Sequence, residues 1–592
     1  MATLKRILLV YPEIPGNTYW SFKYALKFID KKSSMPPLGL LTLAALFPDD
    51  ITLKLVDMNI EKLADQAILK ADAVFISAMI IQKDSTKQLA LRCKKLGRTV
   101  VLGGPYPTGS YQDIDFADHM ILGEVEETLK PFLIDMEQGQ AKPIYFPGKH
   151  PDITDIPVPR FDLLNFKAYG SMAIQYSRGC PYTCEFCDIW KTYGNKPRLK
   201  NHASLIREID TLYRLGWRGA VFVVDDNFIG NKQKVKTHLL PALAEWQKNH
   251  RYPFRFFTEA SINLADDEEL LSAMRNAGFN EVFVGIETPE KEALMGVGKK
   301  QNLATDMAVA VRKIQSCGLE VMGGFILGFD SDTKDTFQHQ INFISRTAIP
   351  KAMVGLLSAL PGTTLYHRLE KENRIISSAY GNNTHSMTTN FITTMDTPEL
   401  KKGYAHVLSF LYGSNLKNYF SRCSDLLDNL GHTTYFQRNI GVKEIIMLAK
   451  SLAIQPFTRY GTQYIKFMVR NFIKHRNLFG EAVRCCITGH HFHVITREMM
   501  KMHQLESWLE NSYISIRDQL KACTATVGEN SSETRKQITE LWEQTCVLMK
   551  KARKKIKHVH RDFRNDIQKS YWENSNKIKR LFDGLIIKEK RQ

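Results

Sequence analysis

The sequence predicts an α/β fold: two successive parallel-sheet units followed by an α-helical C-terminal region. Three observations carry this. Short apolar runs alternate with amphipathic helical stretches up to about residue 370, the pattern of strand–helix–strand units and parallel sheets. A Pro- and Asp-rich break, Pro151 to Pro159, divides that alternation in two. From Pro398 onward the alternation stops and helical periods dominate. A chain of 592 residues is also too long for one hydrophobic core. We therefore delimit 1–150, a linker at 151–169, 170–370, 371–500 and 501–592.

In the first unit, Lys5 to Tyr11 reads as a buried strand, and Pro36-Pro37-Leu38-Gly39-Leu40 opens an apolar helix running to about Phe47. Strands follow at Ile51 to Asp57, Ala73 to Ile80, Thr99 to Gly103 and His119 to Leu122, with helices at Asp84 to Leu96 and Glu124 to Glu137. This is a doubly wound, Rossmann-like sheet. Ligands of such sheets sit at the carboxyl ends of the strands. Those ends carry Pro12 to Gly16, Ser77 to Met79 and Gly103-Gly104, and paired glycines let a large flat ligand approach the backbone.

The second unit repeats strand and helix. Strands are expected near 173–178, 220–225, 254–260, 281–286, 321–327 and 352–358, and helices near 203–215, 232–248, 267–277, 303–317 and 333–346. Six strand–helix units suggest a partial (β/α)6 TIM-like barrel, open on one side, with its chemistry at the strand C-termini. The residues at those ends are Asp225-Asp226, Glu259 and Ser261, Gly285-Ile286-Glu287, and Gly324-x-Ile326-x-Gly328, with Leu360 to Thr363 as a closing turn.

After the first of these strands come Cys180, Cys184 and Cys187, spaced C-x3-C-x2-C. Thiolates are soft ligands for zinc or iron–sulfur clusters. Four ligands close a structural zinc site, for which His202 is a candidate fourth. Three on one tight loop suit a cubane with one open iron.

The spacing, with aromatic Phe186 just before the last Cys, resembles the signature of the radical S-adenosylmethionine family. The resemblance implies a 4Fe–4S cluster whose open iron is chelated by S-adenosylmethionine, and reductive cleavage to a 5'-deoxyadenosyl radical. It implies a cofactor pocket formed by Phe186, Asp225, Glu259, Ser261, Gly285, Glu287, Gly324 and Gly328. Asp225 would meet the amino group, or else cap a turn, and Glu287 the ribose hydroxyls. The carboxylate that often follows Gly328 by three residues is replaced by Ser331.

The first unit likewise resembles the cobalamin-binding domain found ahead of many such enzymes, on Ser77, Gly103-Gly104, Pro36 to Gly39 and Gly123-Glu124. Ser77, Gly103, Gly104 and Glu124 would then serve cobalamin. The D-x-H-x-x-G element is absent, so cobalamin would bind without a protein His on cobalt, or the domain would bind nothing. To roughly residue 500 the chain looks like the group that includes hopanoid 2-methylases. The implied function is cobalamin-dependent methylation of an unactivated carbon, of a small-molecule, hydrophobic or lipid substrate. Alternatives are radical rearrangement or cyclisation without methylation, and a zinc and corrinoid carrier or sensor.

Composition narrows the class. Hydrophobic residues at 44% and charged residues at 24% describe a globular chain, and no apolar run reaches the roughly 18 residues of a membrane span. Met1 to Val10 is too short for a signal peptide. Ten Cys in so long a chain do not make a disulfide framework, which fits a cytoplasmic protein. The net charge of +18 suits a flavodoxin- or ferredoxin-type electron donor or an anionic membrane surface; no nucleic-acid motif accompanies it.

In the C-terminal region, Asn382 to Met395 reads as a loop, and Ile440 to Ala453 and Gln463 to Arg476 as helices. In the second helix and the turn before it, Arg459, Lys466, Arg470 and Lys474 interleave with Tyr460, Tyr464, Phe467 and Phe472. This suggests a helix packed on the barrel or a peripheral membrane contact. Cys485-Cys486 with His490, His491 and His493 would scatter around a helix rather than gather on a metal. Glu506 to Gln592 reads as a charged helical hairpin or short coiled coil.

Overall fold

The computed structural model describes residues 4–413, 415–430, 442–526 and 532–589. The first sheet has six parallel strands: β1 (Arg6–Tyr11), β2 (Thr52–Asp57), β3 (Ala73–Ser77), β4 (Thr99–Gly103), β5 (His119–Ile121) and β6 (Ile144–Tyr145). Their order is β2-β1-β3-β4-β5-β6. β6, a two-residue strand, was not expected; it is too short to show a period. Helices cover both faces, so the strands are continuously apolar and alternate residues feed two cores. Leu8, Val10, Val74, Ile76, Val100 and Leu102 enter one. Ile7, Leu9, Ala73, Phe75 and Val101 enter the other. Each of these Val, Leu, Ile and Phe side chains contributes about 1.5–3 kcal/mol on burial.

The second sheet is the predicted open barrel. It runs β7 (Ser171–Ile174), β10 (Gly219–Val223), β11 (Phe254–Glu259), β12 (Phe279–Glu287), β13 (Glu320–Leu327) and β14 (Ala352–Leu356), all parallel. Between its first two strands, β8 (Ser177–Arg178) and β9 (Arg198–Leu199) pair antiparallel and close the loop that carries the three cysteines. Phe254 packs on Trp246 of the outer helix layer, ring centroids 5.2 Å apart, so Phe257 and Glu259 face inward.

The barrel's open side is closed by chain from elsewhere. Ser171 on the β7 edge donates to Ser34 O (2.8 Å), and Leu356 on the β14 edge donates to Asn383 O (2.9 Å). The two covering segments meet each other: Tyr19 N donates to Thr384 Oγ1 (3.3 Å) and Asn382 Nδ2 to Asn17 O (3.4 Å). The stretch from Asn382, expected as a polar loop, is thus a strap: Asn382, Thr384 and His385 are buried. Polar sequence misleads here because the Asn382 and Thr384 side chains satisfy backbone groups at Asn17 and Tyr19, while the Asn383 carbonyl accepts from the β14 edge.

At the barrel floor, Glu281 and Glu320 are register partners. Lys351 and Arg484 ion-pair with both; Lys351 lies 3.3 Å and Arg484 2.5 Å from Glu320. Arg484 belongs to helix Phe479–Thr526, which thereby plugs the floor. Cys485 and Cys486 are core residues, and His491 is buried with its Nε2 3.2 Å from Tyr19 O.

The chain divides into two compact units, 1–493 and 494–592. The second holds the end of Phe479–Thr526 and helices Ser532–Lys557 and Arg561–Glu589, packed through Ile516, Leu520, Leu541, Ile578 and Phe582. The expected hairpin is therefore a three-helix assembly; the turn at 558–560, His-Val-His, carries no Gly or Pro to announce the last helix. Among the described residues no helix is long and apolar enough to cross a membrane.

Replacing Lys351 with Met removes a cation that pairs with both buried carboxylates. This should cost about 3 kcal/mol of stability, read as a lowered denaturant midpoint; an unchanged midpoint would show the floor pairs to be incidental.

Candidate functional site

The cysteine loop is held from three sides. Gly179, at φ +94°, leads into it, and a Cβ there would lie 2.7 Å from Gly194 O. Only glycine accepts both that angle and that contact. Gly179 N donates to Asp226 (2.9 Å), Cys180 N to Gly194 O (3.3 Å) and Glu185 N to Val297 O (3.0 Å). Arg368 pairs with Glu185 at 2.7 Å. Cys184 is buried; Cys180 and Cys187 are half-buried, and burial raises the thiol pKa of both. Phe186 stands 6.4 Å from the Phe329 ring, with Lys299 Nζ 6.0 Å from its centroid.

A cubane takes one thiolate at each of three irons, so its ligands need not converge on a point. Among the described residues no three His, Cys, Asp or Glu groups gather for a single ion. His202, the candidate fourth zinc ligand, opens a helix with its ring 6.1 Å from that of His238.

The strand ends place the predicted residues unevenly. Asp225 is fully buried and accepts from Tyr176 N (2.7 Å) and Ser177 Oγ (2.6 Å). Its carboxylate thus fixes the entry to the loop. Glu259 faces the lumen, and among the described residues no donor or cation reaches its carboxyl. Burial, aided by Asp226, pushes it up to about 8. Asp226 is raised to about 6 and Asp225 to about 7, chiefly by burial. Crowded, weakly compensated carboxylates fit a cationic ligand such as a sulfonium amino acid. Ser261 belongs to a network with Asn227 (3.2 Å) and Asn263 (2.7 Å), and Asn263 reaches Tyr182 OH in the cysteine loop (3.1 Å).

Glu287, at φ +64° after a register shift, ion-pairs with the buried Lys299. Burial opposes the Lys299 charge, but Glu287 and Cys184 outweigh it and raise its pKa. The pair lies over Gly285, where a Cβ would be 2.5 Å from Glu287 Oε1. Gly285 thus clears room for a side chain of its own sheet. Gly324 does the same for Phe283, 2.8 Å from its missing Cβ. Gly328 N donates to Asp332 (2.7 Å), as does Phe329 N (3.1 Å). A carboxylate thus stands one residue after Ser331.

In the first sheet, Ser77 and Gly103 are register partners at the strand ends, and a Cβ on Gly104 (φ +93°) would lie 2.7 Å from Ser77 Oγ. Gly104 thus lets β3 and β4 close up at Ser77 and Ala78, and these small residues line the ligand-facing strand ends. Glu124, grouped with them by sequence, is engaged elsewhere. It is buried and paired with Arg178 (2.8 Å), Arg198 (2.8 Å) and His150 (3.0 Å). Burial acts to raise its pKa, but Arg198 and Arg178 lower it overall. Arg178 also pairs with Glu126 (2.7 Å), joining the first sheet's rim to the strand before Cys180.

Sequence reasoning also missed the lumen wall. Phe222 and Phe257 stack at 4.6 Å, and Trp20, from the segment after β1, lies 5.6 Å from Phe283. These rings are half-buried or exposed, unlike the buried Phe254 and Phe256 between them. Alternation within β11 was the available signal.

A parallel-sheet domain with small residues at its strand ends, facing an open barrel with three thiols at its mouth, defines a two-cofactor α/β enzyme class. Family models agree: B12 binding domain at 29–133, Radical SAM superfamily at 174–344 and a domain of unknown function at 363–505. An uncharacterised methyltransferase of Synechocystis is 44% identical over 409 residues, covering 69% of this chain and 76% of that protein. Hopanoid C-2 methylase of Rhodopseudomonas palustris is 38% identical over 379 residues, covering 63% and 72%. The solved cobalamin-dependent radical enzyme OxsB shares the fold, with TM-score 0.55 at 15% identity, over 92% of this chain and 84% of that one. The chain belongs to the cobalamin-binding radical S-adenosylmethionine family that includes hopanoid C-2 methylase.

Asp225, Asp226 and Glu259 keep their protons to higher pH folded than unfolded. Folding is favoured below the unfolded values, and that advantage is lost as pH rises through about 6 to about 8. The melting temperature of cofactor-free protein should fall across this window, and Glu259→Gln should flatten its upper part. A wild-type profile that rises there would contradict the assignment.

Proposed function

We propose that this enzyme is a cobalamin-dependent radical S-adenosylmethionine methyltransferase acting on an unactivated carbon of an apolar, ring-containing or lipid substrate. The observation that carries the reading is the lumen. A wall of Phe222, Phe257, Phe283 and Trp20 lies below an unpartnered carboxyl and a three-thiol loop. The names of the two relatives, a methyltransferase and a hopanoid methylase, support methyl transfer and a lipid-like substrate.

When bound, the cofactors would supply a reducing electron at iron and a transferable methyl group on the corrin. Cys180, Cys184 and Cys187 would hold the three non-chelated irons. Glu259 and Asp226 would face the positive end of S-adenosylmethionine, while Phe186, Ser261, Glu287 and Gly328 would shape its pocket. Ser77, Gly103 and Gly104 would receive the cobalamin tail. The aromatic wall would orient the substrate and exclude water from the radical. Residues 1–150 and 170–370 would form the two cofactor domains, and a reduced flavodoxin- or ferredoxin-type donor would serve them in the cytoplasm.

Anaerobic reconstitution should yield about four irons per chain and reductive cleavage of S-adenosylmethionine. Changing all three loop cysteines to Ala should abolish both; undiminished cleavage would overturn the reading. Methyl-labelled S-adenosylmethionine should leave its label in the product, whereas an unlabelled product would point to rearrangement or cyclisation. A separate variant tests the lumen. Phe257→Ala with Phe283→Ala should raise KM for an apolar substrate by about tenfold while sparing substrate-free cleavage. An unchanged KM would remove the lumen from substrate binding.

A further inference from the structure

Helices Val442–Ile454 and Gly461–Lys474 carry large apolar residues on their outer faces. On the first, Val442, Ile445, Ile446 and Leu452 are exposed, a stripe at helical spacing. Its inward side carries polar residues: Ser451 and the following Gln455 are buried, and Ser451 Oγ is 2.9 Å from Tyr464 OH. On the second helix, Tyr464 and Phe467, with Tyr460 just before it, turn out to be buried, while Ile465, Val469, Phe472 and Ile473 face solvent. Phe457, in the connection, is 86% exposed.

Ten exposed large apolar side chains lie between Val442 and Ile473, and monomers rarely display so dense a patch without a partner. Beside the second stripe run Lys466, Arg470 and Lys474, four residues apart. Residues 442–476 hold seven Lys or Arg and one acid, Glu444, a net of +6. Arg470 and Lys474 meet Asp428 at 3.3 and 2.8 Å, exposed pairs of little strength.

We infer that this helix pair docks on a lipid bilayer bearing anionic headgroups. Apolar stripes flanked by cations match an interface where acyl chains lie below negative charge. Self-association through the same face would oppose two clusters of +6. The inference does not depend on which substrate the barrel accepts.

The test is cosedimentation of the full chain with sucrose-loaded vesicles, of phosphatidylcholine alone or mixed with phosphatidylglycerol. Binding to the anionic vesicles, weakened by added salt, is expected. Ile445→Ser with Phe457→Ser and Ile473→Ser should lower the apparent partition constant about tenfold or more at an unchanged melting temperature. If that variant melts early, Phe457→Ser alone, at the most exposed position, is read the same way with a smaller loss. Three outcomes would overturn the inference: no sedimentation above the vesicle-free control, equal binding by the variant, or a wild-type dimer that the variant converts to monomer.

Discussion

The structure turns on Arg178. Its guanidinium leaves the strand just before the cysteine loop and reaches two buried carboxylates, Glu124 and Glu126, on the first sheet's rim. Burying such ions is unfavourable, and their attraction contributes little net stability. Directional hydrogen bonds do set geometry, however. A loop holding three thiols is thereby placed in register with the strand ends that carry Ser77 and Gly104. Reaction between two bound cofactors depends on that registration, since small displacements of reacting groups cost rate steeply.

A second constraint is electrostatic. Asp225 and Asp226 follow one strand, Glu259 ends the next, and burial disfavours charge on all three. The nearby cations are already committed, Arg178 to the first domain and Lys299 to Glu287. The mouth is consequently under-compensated as it stands. A ligand with a sulfonium and an ammonium would supply the missing charge, and cofactor affinity and local stability would then be linked.

The architecture was legible because buried parallel strands are continuous apolar runs, and all six barrel strands and five of the first sheet's six announced themselves so. The cysteine loop was legible because its spacing is itself the chemistry. Individual roles were less so. Glu124 and Asp225 sit at ligand-facing strand ends, and only coordinates reveal that Arg178 and Ser177 engage them. Gly285 and Gly324 read as room for a cofactor, and their missing Cβ atoms face Glu287 and Phe283. The strap at 382–384 and the apolar outer stripe from Val442 invert the usual rule that polar faces outward, which sequence periodicity cannot detect.

Closure of the barrel limits how a substrate enters. The floor is sealed by Glu281, Glu320, Lys351 and Arg484, and the gap between β7 and β14 is covered by residues near Ser34 and Asn383. Trp20, carried on that cover, meets Phe283 of the lumen wall. A bulky apolar molecule therefore reaches the wall through the mouth shared with the cofactors, or after the cover shifts. The cover meets the strap through hydrogen bonds at Tyr19 and Asn17, net about 1 kcal/mol each, and Tyr19 also stacks on Phe492 at 4.7 Å. The floor is held by buried ion pairs, whose disruption costs several kcal/mol. Of the two seals, the cover is the one that carries an aromatic side chain to the site.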